Sequence, residues 1–338
     1  MLLWLMGMES QTGQEARIAK ALGQYLTSRG WKVSLQYIHK DTDPSSEQAN
    51  LLAYWEPNCK TGSPRLIFNS HLDTVPPYIP PRFDKENGII YGRGACDAKG
   101  QIVSQILAAE ALVKEGLDVG LLYVVEEEMS HIGIKRANLL NLHSEFLVVG
   151  EPTESKIATQ QKGVMAVTLK SFGVAAHSGY PETGRSAIVP LVEVLHDLNQ
   201  VSWPESEDGS KTTLNIGVIS GGAARNVVPE YAEARLMFRL ISSPDSIYSI
   251  LEKVVNNRVT IVRDLENGPI KFNVVPGIPS AGVSYNTDIP YYEGPAKPYL
   301  FGPGSILVAH TPKEQITLAE LNAGIETNKL IARHLLHS

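Results

Sequence analysis

The sequence has few of the features that mark a disulfide scaffold or a membrane protein. Its 338 residues include two cysteines, Cys59 and Cys96, which cannot form a disulfide framework. The apolar N-terminal stretch MLLWLMGM is much shorter than the roughly 18 residues that span a bilayer, and no basic region precedes it. An Asn-X-Ser/Thr motif is also missing. We therefore expect a cytoplasmic protein without a membrane partner.

The chain also lacks an excess of positive charge. The chain has 30 Lys and Arg against 36 Asp and Glu, which gives a net charge of -6. Phosphate recognition needs clustered Lys and Arg, so we expect no nucleic-acid partner. A hydrophobic content of 43% with 20% charged residues is ordinary for a globular protein, and the length predicts roughly two domains.

Apolar periodicity in the first half of the chain predicts helices that alternate with short buried strands. Residues 14–28 and 100–115 have apolar side chains at helical spacing. Residues 66–69, 121–125 and 146–149 are short apolar runs with β-branched residues, which is typical of interior strands. This alternation predicts an α/β fold with a mostly parallel central sheet flanked by helices.

The pattern changes after residue 160. Residues 163–275 read as strand, helix, strand, strand, helix, strand, which predicts an inserted ferredoxin-like α+β domain. We place this insert at residues 161–277. Residues 1–160 and 278–338 would then form the other domain.

Potential metal ligands follow or end several of the apolar runs. They are His71, Asp97, Glu128, Glu151 and His310. Because ligands bind beyond the carboxyl ends of parallel strands, these groups are expected to meet at one edge of the sheet. Five groups exceed what one tetrahedral zinc needs, so the sequence predicts two metal ions. Asp97 is the best candidate to bridge them, because its two oxygens can contact different ions.

Two further carboxylates have predicted supporting roles. Glu127 and Glu128 are adjacent on an extended segment and point in opposite directions, so one can bind metal while the other acts as a base. Asp73 lies two residues after His71 and can accept the second N–H of that imidazole.

The residues named above lie in segments that resemble those of a known family. The resemblance covers nearly all of the chain and runs through the segments SHLDTVP, YGRGACDAKG, EEE, VVGEPT, AAHSGYP, RNVVPEY and GPGSILVAHTPKE. They are similar to the co-catalytic zinc hydrolases that include acetylornithine deacetylase, succinyl-diaminopimelate desuccinylase, aminoacylase 1 and glutamate carboxypeptidase. The segments HSGYPETGRSA, TTLNIGVISGG, NTDIP and GPGSILVAH most resemble the fungal acetylornithine deacetylase-like proteins described as probable carboxypeptidases.

The resemblance implies a role for each ligand. His71 and Glu151 would hold one zinc, Glu128 and His310 the other, with Asp97 as the bridge, and cobalt could substitute for zinc. It also implies that Glu127 is the general base, that Asp73 orients His71 and that the Asp97–Ala98 peptide bond is cis.

The resemblance assigns substrate contacts too. His177 would polarise the scissile carbonyl, and Asn226 would lie near the same oxygen. Arg239 and the turn of Gly304 and Ser305 match regions near a substrate carboxylate. In dimeric relatives the histidine reaches the site from the partner chain, so we expect a homodimer. Simpler interpretations are a loop residue for His177, a turn residue for Asn226 and a strand-end ion pair for Arg239.

The expected function is therefore a two-zinc hydrolase that cleaves an amide next to a free carboxylate. A metal-bridging hydroxide would attack, and the substrate would be a small peptide or an N-acyl amino acid. The alternative is a non-catalytic homologue that binds amino-acid derivatives. The segment Met129-Ser130-His131 departs from the Gly-rich turn of relatives. The fungal relatives also carry a secretion leader that is not visible here. The remaining histidines are interpreted as surface or packing residues: His39, His131, His143, His196, His334 and His337.

Overall fold

The computed structural model describes residues 1–39, 42–207 and 209–337, and the chain divides into two compact units. The main unit comprises Met1–Thr159, Phe272–Gly282 and Thr287–Ser338, and the insert comprises Gln160–Lys271 and Val283–Asn286. At Phe272, where the second segment of the main unit begins, the backbone N–H donates to the carbonyl of Thr159 at 2.8 Å.

The first half of the main unit contains the predicted helices and strands, with bounds that differ by a few residues. The sequence also predicts candidate strands at residues 32–38 and 50–54, and both are present. Four further elements, Leu2–Met6, Arg82–Asp84, Ile89–Tyr91 and Ile132–Ala137, are too short for periodicity to reveal them. In chain order the elements are α1 Leu2–Met6, α2 Ala16–Ser28, β1 Lys32–Tyr37, β2 Ala49–Tyr54, β3 Leu66–His71, β4 Arg82–Asp84, β5 Ile89–Tyr91, α3 Lys99–Lys114, β6 Val119–Val124, α4 Ile132–Ala137 and β7 Phe146–Val149.

The second half contains the insert and the C-terminal part of the main unit. Its elements are β8 Ile157–Gln161, β9 Gly163–Phe172, β10 Ala176–His177, α5 Ile188–Asn199, β11 Thr213–Gly221, β12 Val227–Val228, β13 Tyr231–Leu240, α6 Pro244–Val255, β14 Thr260–Asn267, β15 Ile270–Lys271, β16 Ser280–Val283, β17 Lys297–Leu300, β18 Gln315–Thr317 and α7 Leu318–His337. Among the described residues, no helix has both the length and the apolar character needed to cross a membrane.

A six-stranded mixed sheet forms the centre of the main unit, in the order β1-β2-β6-β3-β7-β17. Strands β6, β3, β7 and β17 are parallel, whereas β1 and β2 are antiparallel additions at one edge. Every residue of β3 and β6 is buried, as is typical of parallel strands covered by helices. The predicted mostly parallel sheet is confirmed.

The insert is a four-stranded antiparallel sheet in the order β11-β13-β9-β14. Apolar side chains of α5 and α6, such as Leu191 and Leu251, form one hydrophobic cluster with sheet residues such as Leu169 and Phe238. This order of strands and helices is the ferredoxin-like arrangement that the sequence predicts.

Candidate metal centre

Several predicted ligands lie beyond the carboxyl ends of parallel strands in the central sheet. His71 is the last residue of β3 and pairs with Val124, the last residue of β6. Glu128 lies in the turn that follows β6, rather than on the predicted extended segment, and Glu151 lies two residues after β7. Because neighbouring parallel strands end at the same edge, three separate chain segments bring their side chains to one place.

The first group of potential ligands consists of His71, Asp97 and Glu151. The Nε2 atom of His71 lies 3.0 Å from Oδ1 of Asp97 and 3.7 Å from Oε1 of Glu151. All three side chains are buried. One imidazole nitrogen and two carboxylate oxygens at this spacing are a donor set that zinc accepts.

The second group consists of Asp97, Glu128 and His310. The Nε2 atom of His310 lies 3.0 Å from Oε1 of Glu128 and 3.1 Å from Oδ2 of Asp97. The side chain of His310 is 52% exposed, whereas that of Glu128 is 7% exposed. This side of the centre is therefore the side that solvent can reach.

Asp97 belongs to both groups, because its two carboxylate oxygens face the two different histidines. Its backbone N–H donates to Oε1 of Glu314 at 3.1 Å, and the buried Arg93 donates to the other oxygen of Glu314 at 2.7 Å. The Asp97–Ala98 peptide bond is cis. The Arg93–Glu314 ion pair, which the sequence does not predict, thus holds the backbone of the shared residue.

Asp73 connects the first group to the turn that carries the glutamates. The Nδ1 atom of His71 lies 3.0 Å from the carbonyl oxygen of Asp73 and 3.3 Å from its Oδ1 atom. The carboxylate of Asp73 accepts the backbone N–H groups of Glu127 at 3.1 Å and Glu128 at 3.2 Å. The hydroxyl of Thr12 also donates to this carboxylate at 2.9 Å. The nearer acceptor for His71 is therefore the carbonyl, while the carboxylate shapes the glutamate turn.

The buried carboxylates and imidazoles shift one another's pKa values. Burial raises the pKa of Glu151 to about 7, and burial together with the charge of Asp97 raises the pKa of Glu128. Burial alone would raise the pKa of Asp97, but hydrogen bonds from His310 and His71 hold it well below its ordinary value. Hydrogen bonds to Asp97 and Glu128 raise the pKa of His310 to about 10.

The balance of charge in this site fits divalent cations. Two imidazoles and four carboxylates lie in a largely buried space, and the carboxylates repel one another. The carboxylates are those of Asp97, Glu127, Glu128 and Glu151. Buried like charges are unfavourable unless cations compensate them. Imidazole and carboxylate groups are also the ligands that zinc and related ions prefer. The residues present therefore fit a metal centre.

Glu127 belongs to neither of these two ligand groups. Among the described residues it forms, with His131 and Asp288, a third cluster of potential ligands that does not include Asp97. The Nδ1 atom of His131 lies 2.9 Å from Oδ1 of Asp288 and 4.0 Å from Oε1 of Glu127. His131, which the sequence suggests is a surface or packing residue, thus also has a carboxylate partner. The sequence signal for this contact is that His131 lies in the segment Met129-Ser130-His131, which departs from the Gly-rich turn of relatives. His39 also has a partner, because its Nε2 atom lies 3.2 Å from Glu126.

Two predicted substrate residues lie together in the insert. His177 pairs with Val227 in the short β10–β12 ladder, and the N–H of Ser178 donates to the carbonyl of Asn226 at 3.0 Å. The side chains of His177 and Asn226 are exposed. The N–H of Gly179 donates to Nδ1 of His177 at 3.0 Å, which fixes the ring against its own turn.

Arg239 lies near the opposite end of the insert's sheet. It pairs with Val164 near the start of β9 and with Thr213 at the start of β11. Tyr231, the first residue of β13, instead pairs with Phe172 at the end of β9, close in sequence to β10 and β12. The eight residue steps from Tyr231 to Arg239 span about 26 Å along the strand. The structure thus separates Arg239 from His177 and Asn226.

The turn of Gly304 and Ser305 follows β17 in the main unit. Gly304 has a φ of +86°, and a Cβ atom at this position would lie 2.9 Å from Cβ of Cys96, so the turn favours glycine. The carbonyl of Ser305 accepts the thiol of Cys96 at 3.5 Å. Because Cys96 precedes Asp97, these contacts place the turn beside the shared ligand.

The fold and site together define a hydrolase of the metallopeptidase type, and the chain is similar to solved structures of this class. A tripeptidase from Staphylococcus aureus has a TM-score of 0.77 and 22% identity, with 98% of this chain and 97% of that chain covered. An M20 family metallo-carboxypeptidase from Sulfolobus solfataricus has a TM-score of 0.77 and 17% identity, with 100% and 98% covered. At these identities the similarity shows the fold.

Sequence similarity identifies the family. Residues 159–261 match the peptidase dimerisation domain of M20 proteins. A peptidase M20 domain-containing protein of Schizosaccharomyces pombe is 36% identical over 340 residues, which cover 98% of this chain and 83% of the relative. A probable carboxypeptidase of Paracoccidioides brasiliensis is 36% identical over 360 residues, with 94% and 81% covered. The chain belongs to the peptidase M20 family.

Proposed function

We propose that this protein is a two-zinc hydrolase that cleaves an amide bond next to a free carboxylate. The observation that carries the proposal is the position of Asp97. Its Oδ1 atom lies 3.0 Å from Nε2 of His71, and its Oδ2 atom lies 3.1 Å from Nε2 of His310. A carboxylate that divides its oxygens between two ligand groups suits a pair of ions about 3.5 to 4 Å apart.

The two ligand groups would divide the ions between them. His71 and Glu151 would hold one ion, Glu128 and His310 the other, and Asp97 would contact both. Ions bound there would supply Lewis acidity towards the amide carbonyl and lower the pKa of bound water towards about 7. Cobalt would substitute for zinc, because it binds the same nitrogen and oxygen ligands.

Glu127 is the proposed general base. Its side chain has different neighbours from that of Glu128, and Asp73 fixes its backbone N–H at 3.1 Å. Burial, together with the charge of Glu151, raises the pKa of Glu127 well above its ordinary value, which suits a group that must both accept and donate a proton. Glu127 would accept a proton from the attacking water as the C–O bond forms. It would deliver that proton to the amide nitrogen as the C–N bond breaks.

The proposed substrate is a small peptide, with an N-acyl amino acid as the second form of the same chemistry. The name "probable carboxypeptidase" of fungal relatives favours the peptide. Arg239 and the turn of Gly304 and Ser305 are the proposed partners of the substrate carboxylate, because guanidinium and N–H groups bind carboxylates well. His177 and Asn226 are the proposed partners of the scissile carbonyl oxygen.

The insert is the proposed surface for homodimer formation. Helix α5 exposes Val189 and Val192, which are 56% and 54% exposed, and the edge strand β11 exposes Val218 and Ile219. The matched dimerisation domain covers the same elements. A second copy of this chain would cover both the apolar side chains and the unpaired edge of β11.

In such a dimer, His177 would act on substrate bound by the partner subunit. Within one insert, His177 and Arg239 belong to opposite ends of the sheet. A substrate of dipeptide size is too short to contact both from the same chain, since β13 alone spans about 26 Å between those ends. Contributions from two chains would allow both residues to serve one substrate.

Hydrolysis assays on the zinc-loaded and cobalt-loaded protein test the proposal. Dipeptides and N-acyl amino acids are compared with their C-terminal amides. We expect hydrolysis of at least one free acid and little hydrolysis of its amide. Equal rates for acid and amide would rule out the free-carboxylate requirement. Binding of amino-acid derivatives without turnover would identify a non-catalytic homologue, which the presence of every ligand and of Glu127 argues against.

A further inference from the structure

We propose that His131 is a positioning residue that holds the side chain of Glu127 in its working orientation. The inference rests on the proposed function of Glu127 as the general base. It adds a residue that lies outside both ligand groups. Its basis is geometric, because the imidazole of His131 lies against the carboxylates of both Glu127 and Asp288.

Asp288 fixes the edge of this imidazole. The Nδ1–H group of His131 donates to Oδ1 of Asp288 at 2.9 Å, and the side chain of Asp288 is 3% exposed. The same Nδ1 atom lies 4.0 Å from Oε1 of Glu127, beyond hydrogen-bond distance but in contact. The ring therefore limits how far the Glu127 carboxylate can swing towards Asp288.

Stacking and the backbone fix the ring in other directions. The centroids of the His131 and Tyr291 rings are 4.3 Å apart, with an interplanar angle of 21°. The Nζ atom of Lys135 lies 4.6 Å from the centroid of the same tyrosine ring. The backbone N–H of His131 donates to the carbonyl of Glu126 at 2.8 Å. A ring held at its edge, face and backbone forms a rigid boundary for Glu127.

Glu127 needs such a boundary because the carboxylate of Asp288, which lies outside both ligand groups, contacts the same imidazole as Glu127. The hydrogen bond from His131 engages Asp288, and the polarised N–H edge of the ring faces both carboxylates. His131 therefore reduces the repulsion on one side of Glu127 while it restricts rotation on that side.

The backbone at position 131 does not require a histidine. Its φ of +53° lies in the left-handed region, which glycine adopts more easily than other residues. The His131→Gly substitution therefore removes the ring without adding backbone strain. It leaves a space between Asp288 and Tyr291 that free imidazole matches in shape and hydrogen bonding.

The test is the steady-state kinetics of the zinc-loaded His131→Gly enzyme with and without added imidazole. We expect kcat to fall at least about tenfold, because small displacements of a reacting group have effects of that size, while KM changes less than about twofold. Imidazole should restore kcat towards the wild-type value. A side chain with only a structural role would not give this combination of a selective loss in kcat and rescue.

Asn141→Gly is the matched control. Asn141 is exposed and has a φ of +50°, so this substitution makes the same backbone change away from the ligand groups. We expect it to keep wild-type kcat and to gain nothing from imidazole. The wild type and Asn141→Gly, measured in the same imidazole solutions, also correct for any binding of imidazole to the metal.

Two results would overturn the inference while leaving the proposed function intact. One is a His131→Gly enzyme with wild-type kcat, and the other is a loss of kcat that imidazole does not reverse. If thermal denaturation shows that His131→Gly is unfolded, His131→Asn replaces it, and wild-type kcat in that variant has the same meaning. A wild-type protein that shows no Glu127-dependent hydrolysis would overturn the proposed function and this inference together.

Discussion

The carboxylate of Asp73 accepts the backbone N–H of Glu127 at 3.1 Å. The residue that contacts the ring of the proposed ligand His71 therefore also fixes the backbone of the proposed general base. The other carboxylate oxygen of Asp73 accepts the N–H of Glu128 at 3.2 Å, and the carbonyl of Asp73 lies 3.0 Å from Nδ1 of His71. Asp73 is fully buried. One residue thus links both proposed ions to the base, and a defect in it is expected to affect binding and turnover together.

Asp73→Asn is therefore expected to weaken metal binding by roughly 10- to 100-fold and to lower kcat as well. An asparagine side chain has one acceptor oxygen and cannot accept from both N–H groups in the way that the carboxylate does. Competition with a chelator measures the affinity, and hydrolysis assays measure kcat. Asp84→Asn is the control, since Asp84 accepts the backbone N–H groups of Glu86 and Asn87, both at 3.2 Å, in an exposed turn. Unchanged metal affinity in Asp73→Asn would contradict the linkage.

His310→Ala is expected to reduce the bound metal from two ions per chain to about one. The second ligand group would keep only Asp97 and Glu128, whereas the first group would remain complete. Elemental analysis after dialysis against trace zinc measures the ratio. His143→Ala removes an exposed histidine and should retain two ions. Saturation of the wild type at one ion, with no change in His310→Ala, would exclude a two-metal centre.

Glu127→Gln is expected to keep the metal ions but to lower kcat by a factor of order 100 or more, the usual effect of losing a positioned acid-base group. Glu126→Gln is the matched control. The Glu126 carboxylate accepts hydrogen bonds from Gln48 at 2.9 Å and from Ser130 at 2.6 Å, so it is already engaged elsewhere. We expect its loss to affect kcat far less. A larger effect in Glu126→Gln than in Glu127→Gln would move the role of base to Glu126.

That the five candidate ligands lie together could be predicted, because each is a chemically distinctive residue near an apolar run. The strands β3, β6 and β7 fix where those runs end, and periodicity reveals such strands. The supporting contacts could not be predicted, because no motif shows which distant residue each of their members contacts. Glu314 accepts the backbone N–H of Asp97, although the two residues are 217 positions apart in the sequence. Asp288 and His131 form a hydrogen bond at a separation of 157 positions. Sequence spacing contains no information about such pairs, and the left-handed backbone of His131 is equally invisible in it.

The stability of the main unit should depend on the ionisation of Glu15. Burial, together with the charge of Asp73, raises the pKa of Glu15 from 4.5 to about 7. A carboxyl group whose pKa is raised on folding stabilises the fold fully below pH 4.5, and this contribution is lost as the pH rises through about 7. The loss amounts to roughly 3 kcal/mol, at about 1.4 kcal/mol for each pH unit.

Glu15→Gln should therefore flatten the decline in the free energy of unfolding between pH 4.5 and 7, as measured by urea denaturation at a series of pH values. The amide has no proton to lose over this range, although it can still accept the N–H groups of Gly13 and Glu126 through one oxygen. Glu9→Gln changes an exposed glutamate and should keep the wild-type slope. A wild-type slope in Glu15→Gln would show that another group governs this transition.

Mixing two inactive variants tests whether the site is completed by a second chain. Glu127→Gln subunits lack the base, and His177→Ala subunits lack the proposed carbonyl contact. In a heterodimer with contributions in trans, one of the two sites would combine an intact Glu127 with an intact His177, so we expect activity to return after subunit exchange. Val192→Glu places a charge on the exposed face of α5 and should abolish both the dimer and this rescue, as measured by light scattering and hydrolysis. Verified exchange without any return of activity would show that His177 does not act on substrate in the partner subunit.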